Sequence, residues 1–484
     1  MDRLTHPVPT AAFDISITCF LCIVLLSTLL LSTLDAGEEL GRAAGPIYDS
    51  SELDYQPAII RIEPDNRLMV VFERIELSNF FGDFQVSFSS DNGATWSAPQ
   101  AIIASPLNER HPALVQLDAG HFALFYLVDE TGNGAYRIHR ATSPDGLQWT
   151  DHGILDLGWG TPGEINPSVI DEGGGVLSMT YHRLSGPSYF AQSQDDGATW
   201  DTLKTEVSNG QGSLPRLVKR TSDGRYLVTY QVGGSDLDMF SKSTYDPYNW
   251  PATQTPFSTA INSHDSQPIV LEGGTFLVTY AQQVASVFDL HYRTSYDGET
   301  WSDAVRITQD TQHYDTQPHP MLSGVPGQVF LVWSHQESSS AYVDHDVWFN
   351  ATLAIPLPLQ PDSDRLSVTQ GGTVQFDLDA GTGHAQRRYF LLGSMSGTLP
   401  GTALPGGGVL PLNRDAVTQY VLGHYNSALL ADFRGRLDGG GQAQAVLNAP
   451  SSLPLAVGTL LNFAYTTEVP YDFQSNPVEV LVTP

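Results

Sequence analysis

Six short strings along the middle of the chain combine acids, amides, imidazoles and guanidinium groups. They read Asp54-Tyr55-Gln56-Pro57, Glu109-Arg110-His111-Pro112, Glu164-Ile165-Asn166-Pro167, Ser213-Leu214-Pro215, Asp265-Ser266-Gln267-Pro268 and Asp315-Thr316-Gln317-Pro318. Their prolines lie 55, 55, 48, 53 and 50 residues apart. Carboxyl and imidazole groups can move protons, and the planar guanidinium fork pairs bidentately with a carboxylate. The residue before each proline (Gln56, His111, Asn166, Leu214, Gln267, Gln317) is mostly an amide or imidazole. A ring of mutually satisfied polar groups would explain such a repeat without chemistry. The residues that break the repeat are therefore the stronger functional candidates: Glu73-Arg74, Arg110-His111, His182-Arg183 and Arg216, with Asp129-Glu130 on a following loop.

The elements that must hold these residues are also repetitive. Trp96, Trp149, Trp200, Trp250 and Trp301 are spaced by 53, 51, 50 and 51 residues. Four of them close a related string, with Asp91, Gly93 and Trp96 in the first, Asp145, Gly146 and Trp149 in the second, Asp195, Gly197 and Trp200 in the third, and Asp297, Gly298 and Trp301 in the last. The fifth string, ending at Trp250, is degenerate but in register. A carboxylate that accepts turn amides, followed by a glycine free to take positive φ, is the chemistry of a hairpin tip. These aspartates are therefore read as structural.

Each proline string is followed by an apolar strand, a turn and a second apolar strand ending in an aromatic, such as Leu68–Phe72, Phe122–Tyr126 and Val329–Trp333. Six units of four short strands fit residues 45–354, with Trp348 in the last strand region of the sixth. The predicted architecture is all-β: a six-bladed β-propeller followed by a smaller β-sandwich-like domain. A Pro-rich joint at 355–362 separates the two. Residues 363–484 alternate β-rich runs, Tyr420–Leu422 and Leu429–Arg436 among them, with Gly and Pro turns, and read as an accessory module.

Bulk properties narrow the function classes. The net charge of -30, with three lysines (Lys204, Lys219, Lys242), argues against nucleic acid as a partner. In residues 1–44 the apolar run Ile15–Leu34 suits a secretory signal or a membrane anchor, so the chain is expected to be exported, with membrane contact only through that segment. Both cysteines, Cys19 and Cys22, lie in this run, which excludes disulfides and thiolate chemistry elsewhere. No cofactor is expected. No metal site is expected either, because the acidic strings have no spacing that resembles a calcium loop.

The Ser-x-Asp-(x)-Gly-x-Thr-Trp strings resemble the Asp-box, or bacterial neuraminidase repeat, of the sialidase superfamily. The resemblance covers about residues 50–354 and implies that the boxes join outer strands on the face opposite the active site. The active face would then carry the inner-strand starts. In that family three arginines hold the substrate carboxylate, an aspartic acid serves the leaving group, and a tyrosine activated by a glutamate is the nucleophile. Tyr55 stands where the family's first arginine is expected. The Arg110-His111-Pro112-Ala113-Leu114 string is similar to its Arg-x-Pro-Ala-Leu form, which implies Asp129 or Glu130 as the acid.

Three readings follow. The first is a glycan-active enzyme, with Arg110, His111, Asp129 and Glu73 as the catalytic set. Tyr55, Gln56, Arg74, Glu164, Asn166, His182, Arg183, Arg216, Gln267 and Gln317 would bind the ligand. Within this class stands a lyase, with His111 or His182 removing a proton beside a uronate carboxylate and Tyr55 protonating the leaving oxygen. The second is a non-catalytic propeller that binds a glycan or protein. The third is a structural surface protein. A glycan or glycoconjugate is the expected partner in the first two.

Overall fold

The computed structural model describes residues 44–484 apart from 118–119, 185, 234–235, 272–273, 326, 338–343, 399, 406–407 and 452–453. The run Ile15–Leu34 lies outside the described residues. Among the described residues no helix is long and apolar enough to cross a membrane.

The propeller is built as the repeat predicts. Four four-stranded antiparallel sheets cover the second to fifth repeats, and an eight-stranded sheet joins the first and sixth. The six inner strands are Leu53–Ile62, Asn108–Gln116, Glu164–Gly173, Ser213–Arg220, Ser263–Val270 and Asp315–Leu322. Each packs against the next, and the sixth packs against the first, so the ring is closed. The second strands are the most apolar, and Phe122–Asp129 is buried along its whole length. Their side chains form clusters between neighbouring blades. Met69, Val71 and Phe84 of blade 1 pack with Leu114, Leu124 and Tyr126 of blade 2. Phe330 and Val332 of blade 6 pack with Leu68 and Val70 of blade 1. Burial of such surface, at roughly 25 cal/mol per Å², is the main force holding the ring closed.

The sixth blade departs from the expected order. Trp348 lies in its third strand, His345–Ala354, and the outermost strand is the N-terminal Gly45–Pro46, which pairs antiparallel with Trp348 and Phe349. A parallel bridge from Leu53 to His345 adds a second link between the first and last blades. Closure is thus shared by both ends of the repeat array.

The Asp-box face is self-satisfied. In blade 1 the Asp91 carboxylate accepts the Thr95 amide at 2.9 Å and its hydroxyl at 2.6 Å, while Ser89 Oγ accepts the Gly93 amide at 2.8 Å. Blade 3 repeats these contacts with Asp195, Thr199, Ser193 and Gly197. Asp145 and Asp297 each accept two turn amides. Trp149 and Trp200 donate to Gly146 and Gly197 carbonyls at 2.9 and 3.0 Å. Gly93 has φ +86, and a Cβ there would stand 2.0 Å from the Phe349 ring, so glycine is required for both conformation and space.

Beyond the propeller two sheets face each other across one core that includes Phe376, Phe433, Phe463 and Val480. The sandwich-like expectation holds, with two local corrections. Leu359–Pro361, inside the predicted joint, is already a strand paired with Phe376–Leu378. Tyr420–Leu422 is not a strand but part of the helix Ala416–His424. Asp415 caps it, accepting the Thr418 amide while the Thr418 hydroxyl bonds back to the Asp415 amide. That reciprocal cap outweighs the β preference of a short aromatic and branched run.

Candidate functional site

Each inner strand begins with a β-bulge. The pairing skips two residues, and the first of them has positive φ: Gln56 (48°), His111 (56°), Asn166 (55°), Leu214 (47°), Asp265 (56°) and Gln317 (55°). In five blades the second skipped residue is the proline, which has no N–H to leave unpaired. In blade 5 it is Ser266, so the ring residue there is Asp265 rather than the expected Gln267. Gln267 sits two positions on, level with Arg216 and His319 in blades 4 and 6.

Arg216 faces the centre of the ring rather than the other side of its strand. It stands two residues after Leu214, and residues two apart share a face in plain alternation. Arg216 lines a central cavity of 240 Å³, together with Gln56, Asp265, Gln267, Gln317 and His319. Its guanidinium donates a long hydrogen bond, 3.4 Å, to the adjacent Pro215 carbonyl, and among the described residues no carboxylate forms an ion pair with it. Burial lowers its pKa to about 10, opposed by the charge of Asp265, so it stays cationic at neutral pH.

The groups around Arg216 are ordered from blade to blade. The Gln56 amide donates to Gln317 Oε1 at 3.0 Å, and the Asp265 amide donates to Gln231 Oε1 at 3.2 Å. Asp265 Oδ2 lies 2.8 Å from His264 Nδ1. Burial alone would raise the Asp265 carboxyl, yet His264, Arg216 and the Gln317 amide bring it below its ordinary value. The same pair raises His264 against its own burial. His182 and His319 are pushed down to about 4, first by burial and then by Arg216. His111, also depressed by burial and by the Arg110 and Arg216 charges, lies with Nε2 3.3 Å from Gln56 Nε2. Asn166 Nδ2 is 3.5 Å from His182 Nδ1.

The remaining candidates are engaged sideways, as scaffolding. Glu73 is fully buried. It accepts Arg110 Nε at 2.7 Å and also the His111 amide, so blade 1 clamps the start of blade 2. Arg74 bonds Asp54 with two contacts of 2.7 Å, Arg183 pairs with Glu164 at 3.0 Å, and Asp315 accepts from His335 at 2.7 Å. All three are directly opposite pairs in the strand register. Arg183 further stacks on Trp159 at 4.6 Å. Tyr55 Oη approaches His345 Nε2 at 3.4 Å. Asp129 turns back on its own loop and accepts the Gly134 amide at 2.6 Å. Burial opposes its ionisation, but the amides of Gly134, Asn133 and Thr131 lower its pKa. The acids of these strings are thus mostly engaged in strand-to-strand and loop contacts, with Asp265 on the cavity. His264 and His319 were missed by sequence reasoning, and Asp265, an acid of the fifth string, was not singled out as a ligand residue. The signal available was the polar pair directly before Ser266 and the histidine two residues past Gln317.

Residues 50–236 match the BNR repeat-like domain. That match, over less than half of the chain, supports the BNR-repeat reading that the Asp-boxes imply. A Dyadobacter fermentans protein of unknown function superposes with a TM-score of 0.53 at 14% identity, covering 65% of this chain and 98% of that one. Trypanosoma rangeli sialidase matches at 0.49 and 12% identity, over 91% of this chain and 87% of its own. The Penicillium chrysogenum alpha-L-arabinanase matches at 0.48 and 15% identity, over 63% of this chain and all of its own. At these identities the likeness concerns the fold alone. No curated protein sequence matches the chain.

Proposed function

We propose that the mouth of this BNR-repeat propeller binds an anionic carbohydrate, with Arg216 receiving the sugar carboxylate. The observation that carries the reading is a walled-in guanidinium that lines a polar cavity and has no protein carboxylate as ion-pair partner among the described residues. A planar fork in a site of lowered dielectric is suited to a carboxylate ligand. The side chains of Gln56, Gln267 and Gln317 supply donors and acceptors for hydroxyl groups around it. The apolar run Ile15–Leu34 supports placing this binding outside the cytoplasm, which fractionation of the expressing cells would check.

Two-carboxylate hydrolysis is less well supported. Among the described residues, Asp265 is the carboxylate lining the cavity, whereas that mechanism needs two flanking the bond. A second reading is elimination from a uronate. His264 does not itself line the cavity but is bonded to Asp265, which does, and in this reading it would take the proton α to the carboxylate held by Arg216. The electron pair would form the C=C bond, and the leaving glycosidic oxygen would be protonated from solvent.

Calorimetric titration with a sialylated trisaccharide and an oligogalacturonate, against a neutral arabino-oligosaccharide, tests the proposal. Tighter binding of an acidic ligand, weakened at least tenfold in Arg216→Ala, is expected. Equal binding of the neutral sugar, or no effect of the substitution, overturns it. New ultraviolet absorbance with the oligogalacturonate, lost in His264→Ala, would assign elimination. Turnover of a fluorogenic sialoside would assign hydrolysis instead.

A further inference from the structure

A second cluster stands apart from the cavity, on the loop that leads from blade 5 into blade 6. Asp310 and His313 belong to that loop, and His335 lies near the end of the second strand of blade 6, Gln328–Gln336. Each offers one ligand atom, and these atoms lie within 4.8 Å of one another. We propose that Asp310, His313 and His335 form a binding site for a divalent transition metal of the zinc type.

The orientation of each group supports a ligand role. Asp310 Oδ1 accepts the amides of Gln312 at 2.7 Å and His313 at 3.0 Å, which anchors the carboxylate. Its other oxygen, Oδ2, lies 3.0 Å from His313 Nδ1. His335 Nδ1 bonds to Asp315 Oδ1 at 2.7 Å, which assigns the proton to Nδ1 and leaves the lone pair on Nε2. Asp315 is itself fixed by Trp333 Nε1 at 2.7 Å, and the Trp348 ring packs on the imidazole at 4.2 Å. A buried carboxylate that fixes the far nitrogen of an imidazole is the usual outer support of a metal-bound histidine. The two imidazole rings meet nearly edge to face, 5.7 Å between centroids.

Asp289 accepts the Asp310 amide at 3.0 Å and is itself paired with Arg306 at 2.6 Å, which fixes the start of the loop. Two imidazoles and one carboxylate suit zinc and its neighbours better than calcium, which prefers oxygen alone. Bonds of about 2.0–2.1 Å in a tetrahedral site place ligand atoms about 3.4 Å apart. Closure from the present spacing needs only a small movement of the loop, where His313 is half-buried. Three protein ligands would leave the fourth position to water.

The competing explanation is two ordinary Asp–His pairs, Asp310–His313 and Asp315–His335, with no affinity for metal. Full-length protein stripped with a chelator and titrated with zinc chloride separates the two. The proposal expects one equivalent bound with micromolar or tighter Kd and a rise in Tm on binding. His313→Ala should weaken binding at least tenfold while leaving the metal-free Tm within a few degrees. Asp315→Asn should weaken it by about 10–100-fold through His335. Cobalt in place of zinc should give visible absorption bands that are absent in His313→Ala. No saturable binding by the wild type overturns the proposal, as does zinc binding by His313→Ala equal to wild type.

Discussion

The two faces of the propeller use the same residue types to opposite ends. On the Asp-box face, aspartate, serine, glycine and tryptophan recur in the same roles, and each carboxylate is consumed by its own turn. The Asp91 carboxyl is accordingly held down to about 2 by the Thr95 hydroxyl and amide. On the mouth face the repeat supplies a bulge in every blade, but the residues carried there differ. Most acids and arginines still cancel in pairs, while Arg216 is left facing a cavity. A repeated residue holds the fold, and a residue that breaks the repeat at the same structural position is free to meet a ligand.

That contrast can be broken by substitution, taken here from the largest expected effect. Glu73→Ala strands the buried side of the Arg110 guanidinium and frees the His111 amide, so a loss of about 3–5 kcal/mol is expected by denaturant unfolding. Gly93→Ala places a methyl group against Phe349 in a left-handed backbone. It should cost about 2–4 kcal/mol by the same measurement. Arg216→Ala should leave stability within about 1 kcal/mol, because the charge has no ion-pair partner to strand. It should nevertheless remove acidic-sugar binding in calorimetry. If it unfolds the protein as readily as the box substitution does, the distinction between the faces fails.

The smallest effect sharpens the comparison through pH. Glu109 is the mouth-face acid with no basic partner opposite it in the register, where Val128 stands. Burial raises its carboxyl to about 7, with Ser105 opposing and Asp83 adding to the rise. A carboxyl with a raised folded-state pKa costs stability as pH climbs from its ordinary value, about 4.3, through about 7. Glu109→Gln removes that loss, so the variant should gain Tm relative to wild type at pH 8 but not at pH 5. An equal difference at both pH values would show that Glu109 does not titrate in this window.

Legibility in the sequence follows the range of the interactions. The blades, the boxes and the inner-strand starts were readable because apolar alternation and Asp-Gly turns act over a few residues. Arg216 is among the ligand residues the sequence offers, and its place two residues after Leu214 already puts it on that residue's side of the strand. Aligning blade 5 on Pro268 put Gln267 where Asp265 belongs, because Ser266 fills the bulge position without a proline. The metal cluster escaped for another reason: the Gln328–Gln336 strand brings His335 beside a loop more than 20 residues earlier, and no spacing encodes that approach.

By itself the sequence determined an Asp-box propeller with a second β domain, and it marked the boxes as turns, because those features rest on local backbone chemistry. Only the tertiary structure decided that Asp54, Glu73 and Glu164 are spent on neighbouring arginines, that Gly45–Pro46 completes the last blade, and that Arg216 faces the cavity. Asp54–Arg74 and Glu164–Arg183 are settled by the register of neighbouring strands within a blade, whereas Glu73–Arg110 and the Gly45–Pro46 pairing join different blades. Neither the register nor the contact between blades is written in local residue pattern, so which polar side chains are satisfied by protein and which meet a ligand follows from the assembled ring.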